Sequence, residues 1–161
     1  MKSKIMFVCH GNICRSPMAE FIMKKIVSDA KMTDSFVINS SATSTEEIWN
    51  GVGSPMYARA AEELRCHNIP FTRRRATLLS KSDYEKYDLF IGMDSANIRN
   101  MHKILGGDPE GKIKKLRDYT GDCRDVADPW YSDRFDIAYS DIYEGCAALL
   151  DSISEIKNDR K

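Results

Sequence analysis

The stretch Ile5-Met6-Phe7-Val8-Cys9-His10-Gly11-Asn12-Ile13-Cys14-Arg15-Ser16-Pro17 decides how the rest of the chain is read. Its opening apolar run ends at Cys9, the pattern of a strand buried on both faces in the middle of a parallel sheet. Ser16 is placed to cap a helix, with Pro17 at its first position and Glu20 in its first turn. Met18, Phe21, Ile22 and Ile26 then recur at helical spacing. Between strand and helix, five residues separate Cys9 from Arg15. That length lets the backbone N–H groups of His10, Gly11, Asn12, Ile13 and Cys14 curl inward around an anion the size of phosphate, at a helix N-terminus. Gly11 and Asn12 tolerate the left-handed backbone that a tight ring needs, and the planar fork of Arg15 grips two oxygens at once. The same positive field favours the thiolate form of Cys9, which makes it a nucleophile lying in line with a bound phosphoryl group.

Outward from this loop, Phe36-Val37-Ile38 reads as a second strand. Ser54-Pro55 opens a helix carrying Tyr57, Ala61 and Leu64 that ends at Asn68. Leu89-Phe90-Ile91 is a third strand, followed by a helix from Ser95 to Gly106-Gly107. Ile113 to Tyr119 is a weaker strand, and Ile142, Cys146, Leu149, Leu150 and Ile153 mark a long C-terminal helix. Strands alternating with helices predict right-handed crossovers and a parallel sheet covered on both faces. Ligands in such folds sit beyond the carboxyl ends of the strands, which again selects Cys9.

The chain is 161 residues long, the size of one domain spanning 1–161. It is 42% hydrophobic and 30% charged, with 24 Lys+Arg against 24 Asp+Glu. That balance argues against a general nucleic-acid partner. No apolar run reaches the roughly 18 residues of a membrane span, and Met1-Lys2-Ser3-Lys4 is not followed by a long apolar signal core. Five cysteines, an odd and irregularly spaced set, predict a reduced cytoplasmic protein rather than a disulfide scaffold. Cys66, Cys123 and Cys146 make no zinc spacing with a histidine, so neither a metal nor a cofactor is expected. A monomer is the default. Arg73-Arg74-Arg75 reads as a solvated basic loop.

Breaking a phosphate ester also requires a proton for the leaving oxygen. Asp128-Pro129-Trp130-Tyr131 supplies a candidate, because Pro129 disfavours helix at Asp128 and holds it extended. The aromatic neighbours can desolvate the carboxyl and flank an aromatic leaving group.

The run from Val8 to Glu20 resembles the signature of the low-molecular-weight protein tyrosine phosphatases. Ser40 to Glu47, Leu64 to Ile69, Met93 to Asn97 and Asp128 to Tyr131 agree in order along nearly the whole chain. The resemblance implies a three-layer α/β sandwich with a four-stranded parallel sheet flanked by helices, flavodoxin-like and of the phosphatase I type. It implies metal-independent hydrolysis of phosphotyrosine in proteins, with inorganic phosphate as product and inhibitor. Cys9 would attack phosphorus, Arg15 and the loop amides would hold the equatorial oxygens, and Asp128 would serve as acid and then base. Asn12, Ser16, Ser40 and His67 would brace the loop, and Asp94 would orient Arg15. Cys14 takes the position that forms a reversible disulfide with the nucleophile under oxidation.

Where family members vary, His10 reads as a surface side chain. Ile48 to Pro55 departs from the family's Gly-Asn-Pro pattern at the pocket rim, where Trp49 is a candidate wall residue beside Trp130 and Tyr131. Two enzymes of other specificity compete. Thioredoxin-coupled arsenate reductases share the loop but need two further neighbouring cysteines, and here those are far apart in sequence. Phosphoarginine hydrolases of the same family carry Thr where this chain has Ile13, an apolar residue suited to a phenyl ring. A catalytically dead binding module would be expected to lack Cys9, Arg15 or Asp128, and all three are present.

Overall fold

A computed structural model describes residues 2–159. At its centre β1 (Ser3–Cys9) pairs in parallel with β2 (Phe36–Ala42), with Ile5 opposite Ile38 and Cys9 opposite Ala42. On its other edge it pairs in parallel with β5 (Leu89–Gly92), which pairs in turn with β6 (Ile113–Lys115). The sheet order is thus β2-β1-β5-β6, all parallel. A separate hairpin joins β3 (Ile48–Trp49) to β4 (Val52–Gly53).

The unbroken hydrophobicity of β1 is explained by burial on both faces. Ile5, Phe7 and Cys9 belong to one core with Met18 and Ile22 of α1 (Arg15–Asp29), Leu64 of α2 (Ala58–Cys66), and Ile142 and Leu149 of α5 (Phe135–Asp159). Met6 and Val8 point the other way, into a core with Phe90 and with Met101 and Leu105 of α3 (Ser95–Leu105). Successive side chains of a strand alternate between faces, so one seven-residue segment holds together both helical layers. The α/β three-layer architecture and the four-stranded parallel sheet expected from the sequence are both present.

Three boundaries differ from the sequence reading, each because a side chain or backbone group finds a better partner. Cys14, not Ser16, occupies the cap position of α1, and no side chain caps that end. Ser16 sits within the first turn with its hydroxyl 3.0 Å from the Cys9 sulfur. Helix α2 begins at Ala58 rather than at Ser54-Pro55, because Ser54 and Pro55 are engaged in extended pairing. The Ser54 N–H donates to the Glu47 carbonyl (2.7 Å), its own carbonyl accepts from Ala76 N–H (2.8 Å), and Pro55 bridges Arg75. The predicted strand over Ile113 to Tyr119 survives only to Lys115, after which Leu116–Thr120 form a 3₁₀ turn that buries Leu116 and Arg117 under α5. The hairpin turn Asn50-Gly51 has φ of 50° and 78°, both left-handed, as a tight two-residue connection requires.

Gly53 is where the hairpin touches the 72–79 segment most closely, since a Cβ there would lie 1.9 Å from the Ala76 carbonyl oxygen. Backbone cannot yield as a flexible side chain does. Gly53→Ala is expected to cost about 1–3 kcal/mol in chemical denaturation, the usual range for overpacking. An unchanged unfolding midpoint would show that the hairpin contributes nothing to stability.

Candidate active site

Cys9 ends β1 at the carboxyl edge of the sheet, and residues 10–14 wrap around its sulfur before α1 begins. The Cys9 Sγ faces the backbone N–H groups of Asn12 (3.3 Å) and Ser16 (3.4 Å) and the Ser16 hydroxyl (3.0 Å). Asn12 makes this wrap possible by adopting φ of 59° at a fully buried position. Left-handed backbone is unfavourable for most side chains but accessible to asparagine.

The Asn12 carboxamide is held on both ends. Its Nδ2 donates to Ser16 Oγ (2.8 Å) and to Ser40 Oγ (3.0 Å), and Ser40 donates onward to Glu20 Oε1 (2.6 Å). Ser16 Oγ accepts from Asn12, and its own hydroxyl lies 3.0 Å from the Cys9 sulfur and 3.5 Å from the Ser41 carbonyl. Asn12 Oδ1 accepts from Thr77 N–H (3.1 Å) and from the guanidinium of Arg74, which also donates to the Asn12 carbonyl (2.6 Å). Burial lowers the pKa of Arg74, with the charges of Glu20 and Cys9 acting in the opposite direction.

This arrangement corrects two expectations. His67 does not brace the loop: it is exposed at the end of α2, stacked on Tyr139 at 3.7 Å between centroids, with Nε2 3.2 Å from Glu63. Arg74 holds the loop instead. The sequence carried that signal as the Arg73-Arg74-Arg75 run, which is therefore not simply a solvated loop.

Arg15 is only 3% exposed, and each side of its fork has a fixed partner. Nη1 donates to Asp94 Oδ2 and to the Val126 carbonyl, both at 2.8 Å, while Nη2 lies 3.4 Å from Asp128 Oδ2. Asp94 orients the arginine while its other oxygen caps α3 by accepting from Asn97 N–H (2.7 Å). Burial opposes the Arg15 charge, but Cys9, Asp128 and Asp94 outweigh it and the pKa is raised. Asp128 precedes the short helix α4 (Pro129–Ser132), where Oδ1 accepts from Trp130 N–H (3.0 Å). Its other oxygen is left for the cavity and for Arg15.

Cys9, Arg15 and Asp128 line one cavity of about 140 Å³, together with His10, Gly11, Ile13 and Cys14. Trp130 and Tyr131 form an aromatic wall, and Trp130 is backed by Tyr57 at 5.1 Å between centroids. Trp49 is not part of it: on the hairpin it is 73% exposed and outside the cavity. The rim instead carries Glu46 and Glu47, which sequence reasoning missed. The His10 ring turns outward to Glu46 (2.9 Å), so His10 meets the cavity through the loop while its imidazole stays at the surface. Among the described residues no group of His, Cys, Asp and Glu side chains has the arrangement of a metal site.

Cys14 is buried beside the nucleophile position, and burial followed by the Cys9 charge pushes its thiol up to about 12. It is therefore a neutral thiol at neutral pH. Iodoacetate at neutral pH is expected to carboxymethylate Cys9 and to spare Cys14, read by peptide mass spectrometry. Modification of Cys14 at an equal rate would contradict this division.

Known proteins share both the sequence and the shape. The family model for low molecular weight phosphotyrosine protein phosphatase matches residues 4–161. The low molecular weight protein-tyrosine-phosphatase YfkJ of Bacillus subtilis is 34% identical over 155 residues, covering 95% of this chain and 97% of the relative. Its crystal structure superposes with a TM-score of 0.91 over 98% of both chains. The low molecular weight protein tyrosine phosphatase SP-PTP from Streptococcus pyogenes is 37% identical with a TM-score of 0.82 over 94% of this chain and 93% of its own. A Drosophila arginine phosphatase shares the fold at 27% identity and a TM-score of 0.80, over 95% of this chain and 98% of its own. With a family model spanning almost every residue and relatives matched end to end, this chain belongs to the low molecular weight phosphotyrosine protein phosphatases, a family that acts through a cysteine nucleophile.

Proposed function

We propose that this chain hydrolyses phosphotyrosine in proteins, and small aryl phosphates, through a cysteinyl-phosphate intermediate formed on Cys9. The observation that carries the reading is one cavity that brings together a sulfur ringed by N–H donors, a fork-oriented arginine and a carboxyl at its mouth. The Cys9 thiolate attacks phosphorus in line with the scissile bond. The P–O bond breaks, and Asp128 gives its proton to the departing phenolate. Charge on the equatorial oxygens is met by Arg15 and the loop amides, of which those of Asn12 and Ser16 already face the Cys9 sulfur. In the second step Asp128 takes a proton from water as the water oxygen attacks phosphorus. The P–S bond breaks, releasing inorganic phosphate and restoring the thiolate. No metal takes part in either step.

Ile13, Trp130 and Tyr131 give the leaving group apolar and aromatic walls suited to a flat phenyl ring, within a cavity whose rim also carries Glu46 and Glu47. A guanidinium leaving group would find Ile13 where a polar contact is wanted, which disfavours phosphoarginine. Cys14 lines the same cavity as Cys9. Oxidation of Cys9 to a sulfenic acid followed by attack of the Cys14 thiol would expel water and leave a reducible disulfide. No helix among the described residues is long and apolar enough to cross a membrane. We read the chain as a single catalytic domain, a cytoplasmic monomer whose partners are phosphoproteins rather than nucleic acid or membrane.

Phosphate release from matched phosphotyrosine, phosphoserine and phosphoarginine peptides in excess chelator tests the reading. Release from phosphotyrosine alone is expected, abolished in Cys9→Ser. Asp128→Ala should slow turnover by about 10²–10⁴-fold for poor leaving groups and least for activated ones. Removing the Arg74 hydrogen bonds, worth about 1–3 kcal/mol when charged, should lower kcat/KM roughly ten- to a hundred-fold in Arg74→Ala. Arg74→Lys should recover part of that loss. Release from phosphoarginine alone would replace the proposal with its runner-up.

A further inference from the structure

A second cavity, of about 680 Å³, is lined by Arg65, Arg73, Arg74 and Arg75 together with Phe71 and Met56. Its lining contains no carboxylate. Several other arginines of the chain are neutralised: Arg15, Arg59, Arg117, Arg124 and Arg134 each pair with an Asp or Glu. None of the four groove arginines makes such a pair among the described residues. Arg65 lies over the Phe71 ring at 5.1 Å, which fixes its fork toward the groove, and Phe71 is itself anchored on Phe21. Arg75 is steadied by the Gly53 carbonyl (3.0 Å). In a chain of zero net charge, Arg65, Arg73 and Arg75 around an apolar floor form a site complementary to carboxylates flanking an apolar side chain, while Arg74 is committed to Asn12.

The groove also adjoins the catalytic pocket. Tyr57, next in sequence to Met56, donates its N–H to the Ile13 carbonyl (2.9 Å) and backs Trp130 on the pocket wall.

We propose that this groove docks an acidic segment of the phosphoprotein substrate, its carboxylates on Arg65, Arg73 and Arg75 and an apolar side chain over Phe71 and Met56; the identity of the partner rests on the phosphatase reading above. Arg65 and Arg73 stand outside the catalytic machinery, so they can be changed without touching the loop. The test uses a fluorescein-labelled, unphosphorylated peptide of Asp and Glu residues around one Leu, followed by anisotropy at physiological salt with vanadate filling the catalytic pocket. Binding is expected to persist with vanadate and to weaken at least about tenfold in Arg65→Glu/Arg73→Glu. Turnover of p-nitrophenyl phosphate by that variant should stay within about twofold of the parent. A phosphotyrosine peptide extended by the acidic segment should show a KM about tenfold lower than the unextended one, an advantage lost in the double variant. No binding, displacement by vanadate, equal binding by the variant, or preference for an oligonucleotide of equal charge would each overturn the docking site. Failure of the catalytic reading would appear separately, as an unmodified chain that does not turn over p-nitrophenyl phosphate.

Discussion

A sulfur that is to carry negative charge while 3% exposed must be surrounded by donors that cannot turn away from it. The structure meets that constraint by spending one residue, Asn12, on a backbone conformation few side chains accept. The left-handed turn at Asn12 brings its N–H and that of Ser16 toward the sulfur, and its carboxamide holds the Ser16 hydroxyl beside the same sulfur. Asn12 cannot hold this geometry alone. Ser40 comes from β2, and Arg74 and Thr77 come from the segment beyond α2, so two distant parts of the chain converge on one amide side chain. The sheet exists, from this viewpoint, to bring β1 and β2 side by side with Phe7 opposite Ser40, which sets that serine beside the loop.

The opposing charge is managed with equal economy. Asp94 caps α3 with one oxygen and fixes Arg15 with the other, so the rigidity of a helix start is transmitted to the fork that grips phosphate. Asp128 approaches the same guanidinium only to 3.4 Å, through the oxygen not engaged by the Trp130 N–H, so that oxygen is held by one long contact alone. That difference separates a carboxylate held for orientation from one left available for proton transfer.

What the sequence revealed and what it hid follow from the range of the interactions involved. The β1–loop–α1 unit was legible because its signals are local: an apolar run, a spacing of five residues and a proline in the first turn. Asp128 is legible through the short motif Asp128-Pro129-Trp130-Tyr131, and Asp94 only through the family resemblance of Met93 to Asn97. The error at His67 and the omission of Arg74 share one cause, since the partner of Asn12 lies 62 residues away and nothing local distinguishes a bracing arginine from a solvated one. Serine before proline reads as a helix cap, yet the Ser16 hydroxyl finds the Cys9 sulfur and the Asn12 amide, partners that no local signal announces. Trp49 was misplaced because an aromatic near a rim says nothing about which way a two-residue turn will face it. The Asn50-Gly51 pair that sets that direction was present in the sequence as a hairpin signal.

Net charge, finally, describes this molecule poorly. Zero overall charge is the sum of fields that differ from face to face. Around the catalytic pocket Glu46, Glu47 and Asp128 stand at the mouth, while the positive charge of Arg15 lies deep and already engaged by Asp94. A dianionic phosphate is therefore drawn in by the amides and the arginine at short range, not by a broad positive surface, and the selectivity of entry depends on groups within a few ångströms. The unpaired arginines on the neighbouring face present the opposite field over a wider area. Separating the two lets the protein attract an acidic chain at one place while reserving the narrow pocket for the one group small and charged enough to reach the ring of N–H donors. Specificity in such a molecule is set by how charges are distributed and paired, which the composition alone conceals.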